Sequence, residues 1–369
     1  MKSLSLILKF SLVFFISSLV FSYSLQTEDI KIKIINGVPT VYNPKVPASL
    51  QKIVLKEDLV ISGEKEGVEY TLSDIRSVQV DEEEIIYVLD LKDVRVKVFD
   101  KNGKGMRIIG KKGQGPGELQ LPYRMYLISG KELMFYDISN RRISYYSLDG
   151  KCLREISTRN QMFERTMTDS KGYIIGYFFI PGEMYMHELK KFDSKLNPVM
   201  TLVTIEEKRT PYVIEMLDPT LQFRLMENDN IAWSHPSSYE IFIVSPEGKT
   251  LRKIVKDHDS VRITEAEKKK MIEGRTVPPE YKIELPEYYN PLYYFICDED
   301  GRIYVRTYER DNKGGFYYDV FDSEGRNIAK FSIPGNELLF VVKKNKMYAV
   351  MSEDGNEFSS VKRYSVEWQ

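Results

Sequence analysis

Histidine is the residue type in this 369-residue chain best suited to acid–base or metal chemistry, and the chain has three: His187, His235 and His258. A three-histidine zinc site needs all three imidazoles to converge. These residues fall in separate segments, and we expect them to occupy unrelated positions. The sequence also lacks an HExxH zinc motif and a GxSxG nucleophile elbow. We therefore predict no metal ligands and no catalytic residues.

The glycine-rich segment Gly113-Gln-Gly115-Pro-Gly117 is the closest approach to a phosphate-binding loop. It lacks the Lys-Ser/Thr ending of such a loop and the spacing of a dinucleotide fingerprint. We predict no cofactor.

Two acidic runs carry the oxygen ligands that calcium prefers. They are residues 227–229, Glu-Asn-Asp, and 298–300, Asp-Glu-Asp. Convergence of these side chains in a channel would suit a calcium-type lactonase, hydrolase or lyase, and this function stays open as the alternative.

Tyrosine supplies the candidate binding site. Tyr281, Tyr288 and Tyr289 lie in one proline-rich segment, and Tyr123 and Arg124 follow the glycine-rich segment. Tyrosine offers a large rigid surface with a polar tip, which suits contact with a peptide, a glycan or a partner protein. The alternative is that these rings pack their segment onto the rest of the protein.

Residues 1–24 have the pattern of a secretory signal peptide. A short positive region with Lys2 and Lys9 is followed by an apolar run from Phe10 to Phe21, and small residues precede a cleavage position after Ser24. The run is short for a membrane span of about 20 apolar residues. We expect an exported protein, periplasmic or extracellular, with no membrane span after cleavage.

Charge and cysteine content exclude further classes. Lys+Arg total 53 and Asp+Glu 54, so the chain lacks the positive charge that drives nucleic-acid binding. Two cysteines, Cys152 and Cys297, cannot form a disulfide framework or a CxxC motif. Export permits a bridge between them, and that pairing stays open.

An internal repeat predicts the fold. Three residue pairs recur at an offset of 47 positions: Asp90 with Asp137, Arg95 with Arg142, and Gly103 with Gly150. Apolar and polar residues alternate with the period of a strand, and each unit ends in an Asn-Gly or Asp-Gly hairpin dipeptide. Four short strands per repeat indicate a β-propeller blade. We expect the recurring arginine to pair with the recurring aspartate.

Weaker strand-and-turn patterns continue to residue 366 and give six units, of which the last has only three strand candidates. An unclosed ring leaves an exposed edge, so we predict that the N-terminal strand Ile53–Ile61 completes the sixth blade. The predicted organisation is a signal peptide at 1–24, an N-terminal hairpin or extension at 25–49, and an all-β, six-bladed propeller of four-stranded antiparallel blades at 50–369.

Three segments carry a family resemblance. Asp137-Ile-Ser-Asn-Arg-Arg142-Ile resembles the signature of NHL-type repeats, and Gly110–Pro122 resembles the link between their blades. The segment from Ile35 to Pro44 is similar to the start of exported bacterial six-bladed β-propeller proteins. The resemblance implies a fold more than an activity, because that family is mostly uncharacterised.

The top face of a propeller carries the turns between second and third strands and the links between blades. Two long insertions, at about 203–220 and 256–292, are such links, and long loops on a rigid scaffold commonly carry binding. We expect the second to contain a helix capped by Thr264 and Glu267 and to lie over the mouth of the channel. The acidic runs fall at bottom turns, which favours a binding protein without its own chemistry, engaging a peptide, glycan or partner protein.

Overall fold

The structure, a computed structural model, describes residues 29–62, 67–208, 210–217, 220–235, 237–352 and 359–369. These residues form a ring of six sheets, each with four antiparallel blade strands, which confirms the predicted six-bladed β-propeller. The segment predicted to be a signal peptide lies outside the described residues. Within those ranges, no helix is long and apolar enough to cross a membrane.

The strands, in chain order, are β1 (Lys31–Ile35), β2 (Val38–Asn43), β3 (Ile53–Ile61), β4 (Ile75–Val80), β5 (Ile86–Asp90), β6 (Arg95–Phe99), β7 (Gly105–Ile109), β8 (Pro122–Ile128), β9 (Glu132–Asp137), β10 (Arg142–Ser147), β11 (Cys152–Ser157), β12 (Arg165–Thr168), β13 (Ile174–Ile180), β14 (Met184–Phe192), β15 (Pro198–Lys208), β16 (Val213–Glu215), β17 (Gln222–Leu225), β18 (Ile231–Ser234), β19 (Glu240–Val244), β20 (Thr250–Lys256), β21 (Lys282–Glu284), β22 (Tyr294–Cys297), β23 (Ile303–Arg310), β24 (Phe316–Phe321), β25 (Asn327–Ile333), β26 (Glu337–Lys343), β27 (Lys346–Ser352) and β28 (Ser359–Trp368). Blades 1 to 5 contain β4–β7, β8–β11, β12–β15, β17–β20 and β22–β25, and blade 6 contains β26–β28 with β3. One α-helix, α1 (Glu265–Ile272), and one short 3-10 helix, Val68–Tyr70, occur in the described ranges.

The core lies between the blades. Each interface between neighbouring blades has its own buried apolar cluster; for example, Tyr87 of blade 1 packs with Met125 and Phe135 of blade 2. Successive strand residues point to opposite faces of a sheet, so each blade gives one apolar face to each neighbour. Burial on both faces explains why β5 is buried along its whole length.

Asp90 and Asp137 anchor the chain as it enters each blade. Asp90, at the end of β5, accepts the backbone amides of Ser73 and Asp74 at 2.8 and 3.1 Å. Asp137, at the end of β9, accepts the equivalent amides of Gln120 and Leu121 at 2.7 and 3.0 Å. The repeated aspartate therefore binds the segment that leads into the innermost strand of its own blade.

The predicted pairing of these aspartates with Arg95 and Arg142 is not formed. Asp90 instead makes a buried ion pair with Lys97 at 2.9 Å, and Arg95 is exposed. Arg142 pairs with Glu155 at 3.1 Å. Sheet register places each arginine directly opposite its aspartate, but both carboxylates are engaged by the backbone amides at the blade entry. Arg142 therefore pairs with Glu155, its diagonal neighbour on β11.

Replacing Asp90 by alanine should destabilise the protein by about 3–5 kcal/mol. The substitution removes the buried partner of the Lys97 ammonium, which keeps only the more exposed Asp93 carboxylate at 3.3 Å, and it leaves three backbone amides without this acceptor. Burial raises the pKa of Asp90, but Lys97 and the Ser73 and Asp74 amides together outweigh it and hold the pKa below its usual value. The contribution of this carboxylate is therefore present above its unfolded pKa of about 3.9 and is lost as the pH falls through the lower folded pKa.

Urea unfolding of Asp90→Ala and of the exposed control Arg95→Ala at pH 7 checks this expectation. Arg95→Ala should change the free energy of unfolding by no more than about 0.5 kcal/mol. Equal effects of the two substitutions would contradict the anchoring role of Asp90.

β3 is the outer strand of blade 6. It pairs antiparallel with β28, from Ile53 opposite Trp368 to Ile61 opposite Val361. One sheet therefore contains strands from both ends of the described chain, which leaves the ring without a gap between blades 6 and 1.

The residues before β3 form a strap, residues 38–52, around the rim. β2 pairs in parallel with β20 of blade 4. At blade 5, the Asn43 side chain donates to the Gly325 carbonyl at 2.9 Å and accepts the Asn327 amide at 2.7 Å. The Gln51 amide then donates to the Ile328 carbonyl at 2.7 Å. The strap thus connects blades 4 and 5 to the closing strand in blade 6.

The second insertion begins with the predicted helix. The Thr264 hydroxyl accepts the Glu267 amide at 3.2 Å, and the Glu267 carboxylate accepts the Thr264 amide at 2.9 Å. These reciprocal bonds confirm the capping box. Gly274, with φ of 71°, follows the end of α1.

The two insertions pack on each other and on blade 5. β16 pairs in parallel with β21, and the Tyr289 ring stacks on Tyr308 of β23 at 4.1 Å between ring centres. No residue between 256 and 292 lines the central cavity. The expectation that this insertion lies over the channel mouth is therefore not met, because its strand pairing and ring stacking hold it beside the channel.

Both cysteines are free thiols. Cys152 begins β11 of blade 2 and Cys297 ends β22 of blade 5. The bridge that the sequence left open is not formed, because the two residues belong to different blades.

Candidate functional site

The central channel forms a cavity of about 950 Å³, a volume in the range of small-molecule sites. Its wall contains residues from the innermost strands of all six blades. In each blade this strand starts at the top face and ends at the bottom face, so the first residues of the six strands surround the top mouth of the channel.

Arginines dominate the top half of the channel wall. Arg124 of β8, Arg165 of β12 and Arg224 of β17 all line the cavity. None of the three has a carboxylate within ion-pair distance in the parts of the chain that the structure describes. Three positive charges thus lie at one end of the cavity without a carboxylate in ion-pair contact, while the carboxylates that line the cavity lie towards its other end.

Neutral groups hold these guanidinium groups in place. Arg165 donates to the Gln222 side-chain oxygen at 3.1 Å and lies 5.3 Å from the centre of the Tyr177 ring. Arg224 donates to the Phe223 carbonyl at 2.7 Å. Each guanidinium has five donor N–H groups, so these contacts leave donors available to a ligand.

The arginines perturb each other. Burial in the channel wall is the main cause that lowers the pKa of Arg224 to about 10, and the like charges of Arg124 and Arg165 add to it. Burial also lowers the pKa of Arg165, with a further contribution from Arg124. Arginine side chains carry a positive charge in proteins, so this end of the channel favours an anion.

The bottom mouth has the opposite character. Glu82, Glu227 and Glu299 surround the ammonium group of Lys343, with the last two at 3.7 and 3.3 Å. Burial lowers the pKa of Lys343, but these carboxylates outweigh it and raise the pKa above its usual value. Glu227 and Glu299, which belong to the two acidic runs predicted at bottom turns, are therefore found there beside a lysine, together with Glu82.

The five candidate binding residues do not form one site. Tyr123 and Arg124 line the channel, with the Arg124 guanidinium 5.9 Å from the Tyr123 ring centre. Tyr281 contacts Tyr212 of the other insertion, with ring centres 5.6 Å apart. Tyr288 and Tyr281 are exposed at 45% and 39%, and neither lines the cavity. Tyr289 packs the insertion onto blade 5, as described above.

Sequence reasoning missed Arg165 and Arg224. They come from different repeats and share no motif with Arg124. Both residues could have been identified from their position in the repeat, because each occurs in the first strand of its blade.

From the sequence we expected the histidines to lie apart, but the fold brings two of them together. The rings of His187 and His235 lie 5.3 Å apart between their centres, although we expected unrelated positions. His258 is exposed and lies elsewhere, against Tyr239. The three histidines do not converge, but two of them do.

Comparison with known proteins agrees with the fold. A protein from Bacteroides fragilis described as exported is 13% identical, with a TM-score of 0.58 over 89% of this chain and 99% of that chain. A member of the DUF4221 family from Bacteroides vulgatus is 11% identical, with a TM-score of 0.55 over 86% of this chain and 99% of that chain. None of the curated proteins matches this chain.

The family comparison covers most of the propeller. A family model described as a six-bladed β-propeller matches residues 68–358, from just before blade 1 into blade 6. The match exceeds half of the chain, and the blades that it spans are those seen in the structure. The chain therefore belongs to the DUF5128 family of six-bladed β-propellers.

Proposed function

We propose that this protein is an exported binding protein that takes the acidic group of a saccharide into the top of its central channel. The observation that carries the proposal is the trio Arg124, Arg165 and Arg224, which face the cavity without carboxylate partners in the described part of the chain. Enclosed like charges are costly, and an anionic ligand would offset that cost.

The surroundings of the arginines favour an acidic sugar. A guanidinium group donates two parallel hydrogen bonds to a carboxylate or sulfate group. Tyr123 and Tyr293 line the same cavity and are exposed at 41% and 44%. A tyrosine ring beside a guanidinium group can contact the apolar face of a sugar while the arginine binds its acidic group.

The acidic bottom mouth does not lend similar support to a calcium-type lactonase or lyase. A hard cation needs several oxygen atoms free to converge on it. Here the Glu82, Glu227 and Glu299 carboxylates already surround the Lys343 ammonium group.

Isothermal titration of residues 25–369 with cellobiouronic acid and with cellobiose tests the proposal, because the two disaccharides differ in one carboxylate. We expect the acid to bind at least tenfold more tightly, with an affinity that falls as salt increases. Equal affinity for both sugars would contradict the proposal. Binding of tri-glutamate without binding of either sugar would replace the saccharide by an acidic peptide.

Tyr123→Ala should weaken cellobiouronic acid binding about fivefold, because aromatic contacts of this kind contribute about 1 kcal/mol. Tyr281→Ala is the matched control, since its ring is similarly exposed but does not line the cavity. A larger loss from Tyr281→Ala in the same titration would move the site to the insertions.

A further inference from the structure

We propose that His187, Glu207 and His235 form a zinc-binding site at the interface of blades 3 and 4. The three residues offer one ligand atom each, and these atoms all lie within 4.8 Å of one another. None of them lines the central cavity, so the site is separate from the arginine-lined channel and does not depend on the saccharide proposal.

Sheet register brings two of the ligands together. His187 of β14 lies opposite Ile205 of β15. Glu207 is two residues further along β15, so its side chain emerges on the same face, diagonal to His187. His235 directly follows β18 of the next blade. The site therefore depends on the packing of two blades, which is why neither local motif nor repeat position reveals it.

The distances suit a tetrahedral ion. The Glu207 carboxylate oxygens lie 3.5 Å from Nε2 of His187 and 3.0 Å from Nε2 of His235. With zinc–nitrogen and zinc–oxygen bonds of about 2.0–2.1 Å, ligand atoms around a tetrahedral ion are roughly 3.3 Å apart. The two separations, which go to different oxygens of the carboxylate (Oε2 and Oε1), lie on either side of that value.

Both imidazoles are oriented through their other nitrogen. Nδ1 of His187 lies 2.8 Å from the Tyr177 hydroxyl, and Nδ1 of His235 lies 2.9 Å from the Ser237 hydroxyl. With zinc on Nε2, Nδ1 of each imidazole carries the proton and can donate it to this hydroxyl. Zinc-binding histidines are usually oriented by such a second hydrogen bond.

His187 supplies an independent sign of a ligand. Its side chain is fully buried, and its Nε2 atom has no hydrogen-bond partner. Buried polar atoms are nearly always hydrogen-bonded, so such an atom requires an explanation. A zinc ion between Nε2 and the Glu207 carboxylate provides one.

The donor set selects the class of metal. Two imidazoles and one carboxylate suit zinc and related transition ions, whereas calcium and magnesium prefer oxygen ligands alone. Glu207 is the accessible member, with 21% of its side chain exposed, so the ion would enter from that side. Three protein ligands leave one position for water or a ligand atom.

Zinc titration of residues 25–369, freed of metal by a chelator, tests the site. A chromophoric chelator reports affinity by competition, and elemental analysis after desalting reports stoichiometry. We expect one equivalent of zinc, with affinity reduced at least about 100-fold in His187→Ala and in His235→Ala. The exposed control His258→Ala should keep the wild-type affinity. Absence of stoichiometric zinc, or unchanged affinity in either site variant, would overturn the proposal.

Two further variants keep the test valid if loss of a buried ring impairs folding. Glu207→Gln retains both imidazoles, and we expect it to weaken zinc at least tenfold. Tyr177→Phe retains all three ligands and should weaken zinc about 10–100-fold by releasing the His187 ring. Cobalt absorption bands that are present in wild type and His258→Ala and altered in Glu207→Gln would support the assignment. Wild-type zinc affinity in a folded Glu207→Gln protein would refute it.

Discussion

Replacing Arg224 by methionine should stabilise the protein while removing most of its affinity for an acidic ligand. Arg224 lies in the channel wall with two like charges, and burial is the main cause that lowers its pKa to about 10. Methionine has a similar length and no charge, so we expect the free energy of unfolding to rise by roughly 1 kcal/mol. Loss of a charged hydrogen-bond donor should weaken cellobiouronic acid about 10–100-fold.

Thermal unfolding and isothermal titration of the same sample measure both effects. Arg326→Met is a matched control, because Arg326 is an arginine on the outer part of blade 5 with an acidic neighbour, Asp322. That substitution should leave ligand affinity unchanged and should not stabilise the protein. A destabilised Arg224→Met protein with full affinity would contradict both parts of the expectation.

Deleting β3 should cost the protein most of its stability. Without residues 53–61, blade 6 keeps three strands, and the hydrogen-bonding groups of β28 that now pair with β3 become an exposed edge. The buried Ile61 side chain is also lost from the cluster between blades 6 and 1. We expect a loss of more than about 5 kcal/mol, which is comparable to the whole net stability of a typical domain. Thermal unfolding of a protein that begins at residue 62 measures it.

A shorter deletion separates the closing strand from the rest of the N-terminus. β1 is exposed along its whole length, so a protein that begins at residue 38 should keep a melting temperature close to that of residues 25–369. A circular permutant that joins residue 369 to residue 53 and begins at residue 62 should recover most of the stability. Equal melting temperatures for proteins beginning at residues 38 and 62 would show that β3 does not hold the ring closed.

The sequence was enough to predict the blades because their determinants are local. Alternation of apolar and polar residues fixes each strand, and glycines such as Gly103 and Gly150, with φ of 82° and 98°, fix the turns. The 47-residue offset placed Asp90 and Asp137 at equivalent strand ends, where the structure has them.

The candidate sites depend on contacts between blades, which no local pattern encodes. Arg124, Arg165 and Arg224 come from three consecutive blades and meet only when those blades pack side by side. Glu207 and His235 belong to adjacent blades, and their proximity follows from how those blades pack. Of the five candidate binding residues, only Tyr123 and Arg124 line the channel, because they follow the glycine-rich link that leads into the innermost strand of a blade.

The predicted position of the second insertion over the channel mouth differs from the structure for the same reason. The prolines and the capped helix of this insertion could be predicted from the sequence. The position of the insertion on the propeller depends on the pairing of β16 with β21 and on the Tyr289–Tyr308 stack. Both are contacts between residues far apart in the chain.

The most direct test of the arginine channel is a crystal structure of residues 25–369 soaked in selenate, with anomalous data collected at the selenium edge. Selenate carries the same charge as sulfate and marks its own position. We predict an anomalous peak within about 4 Å of the guanidinium groups of Arg165 and Arg224, inside the channel. Selenate bound only on the outer surface, for example at Lys268–Lys270 of α1, with none in the channel, would contradict the account.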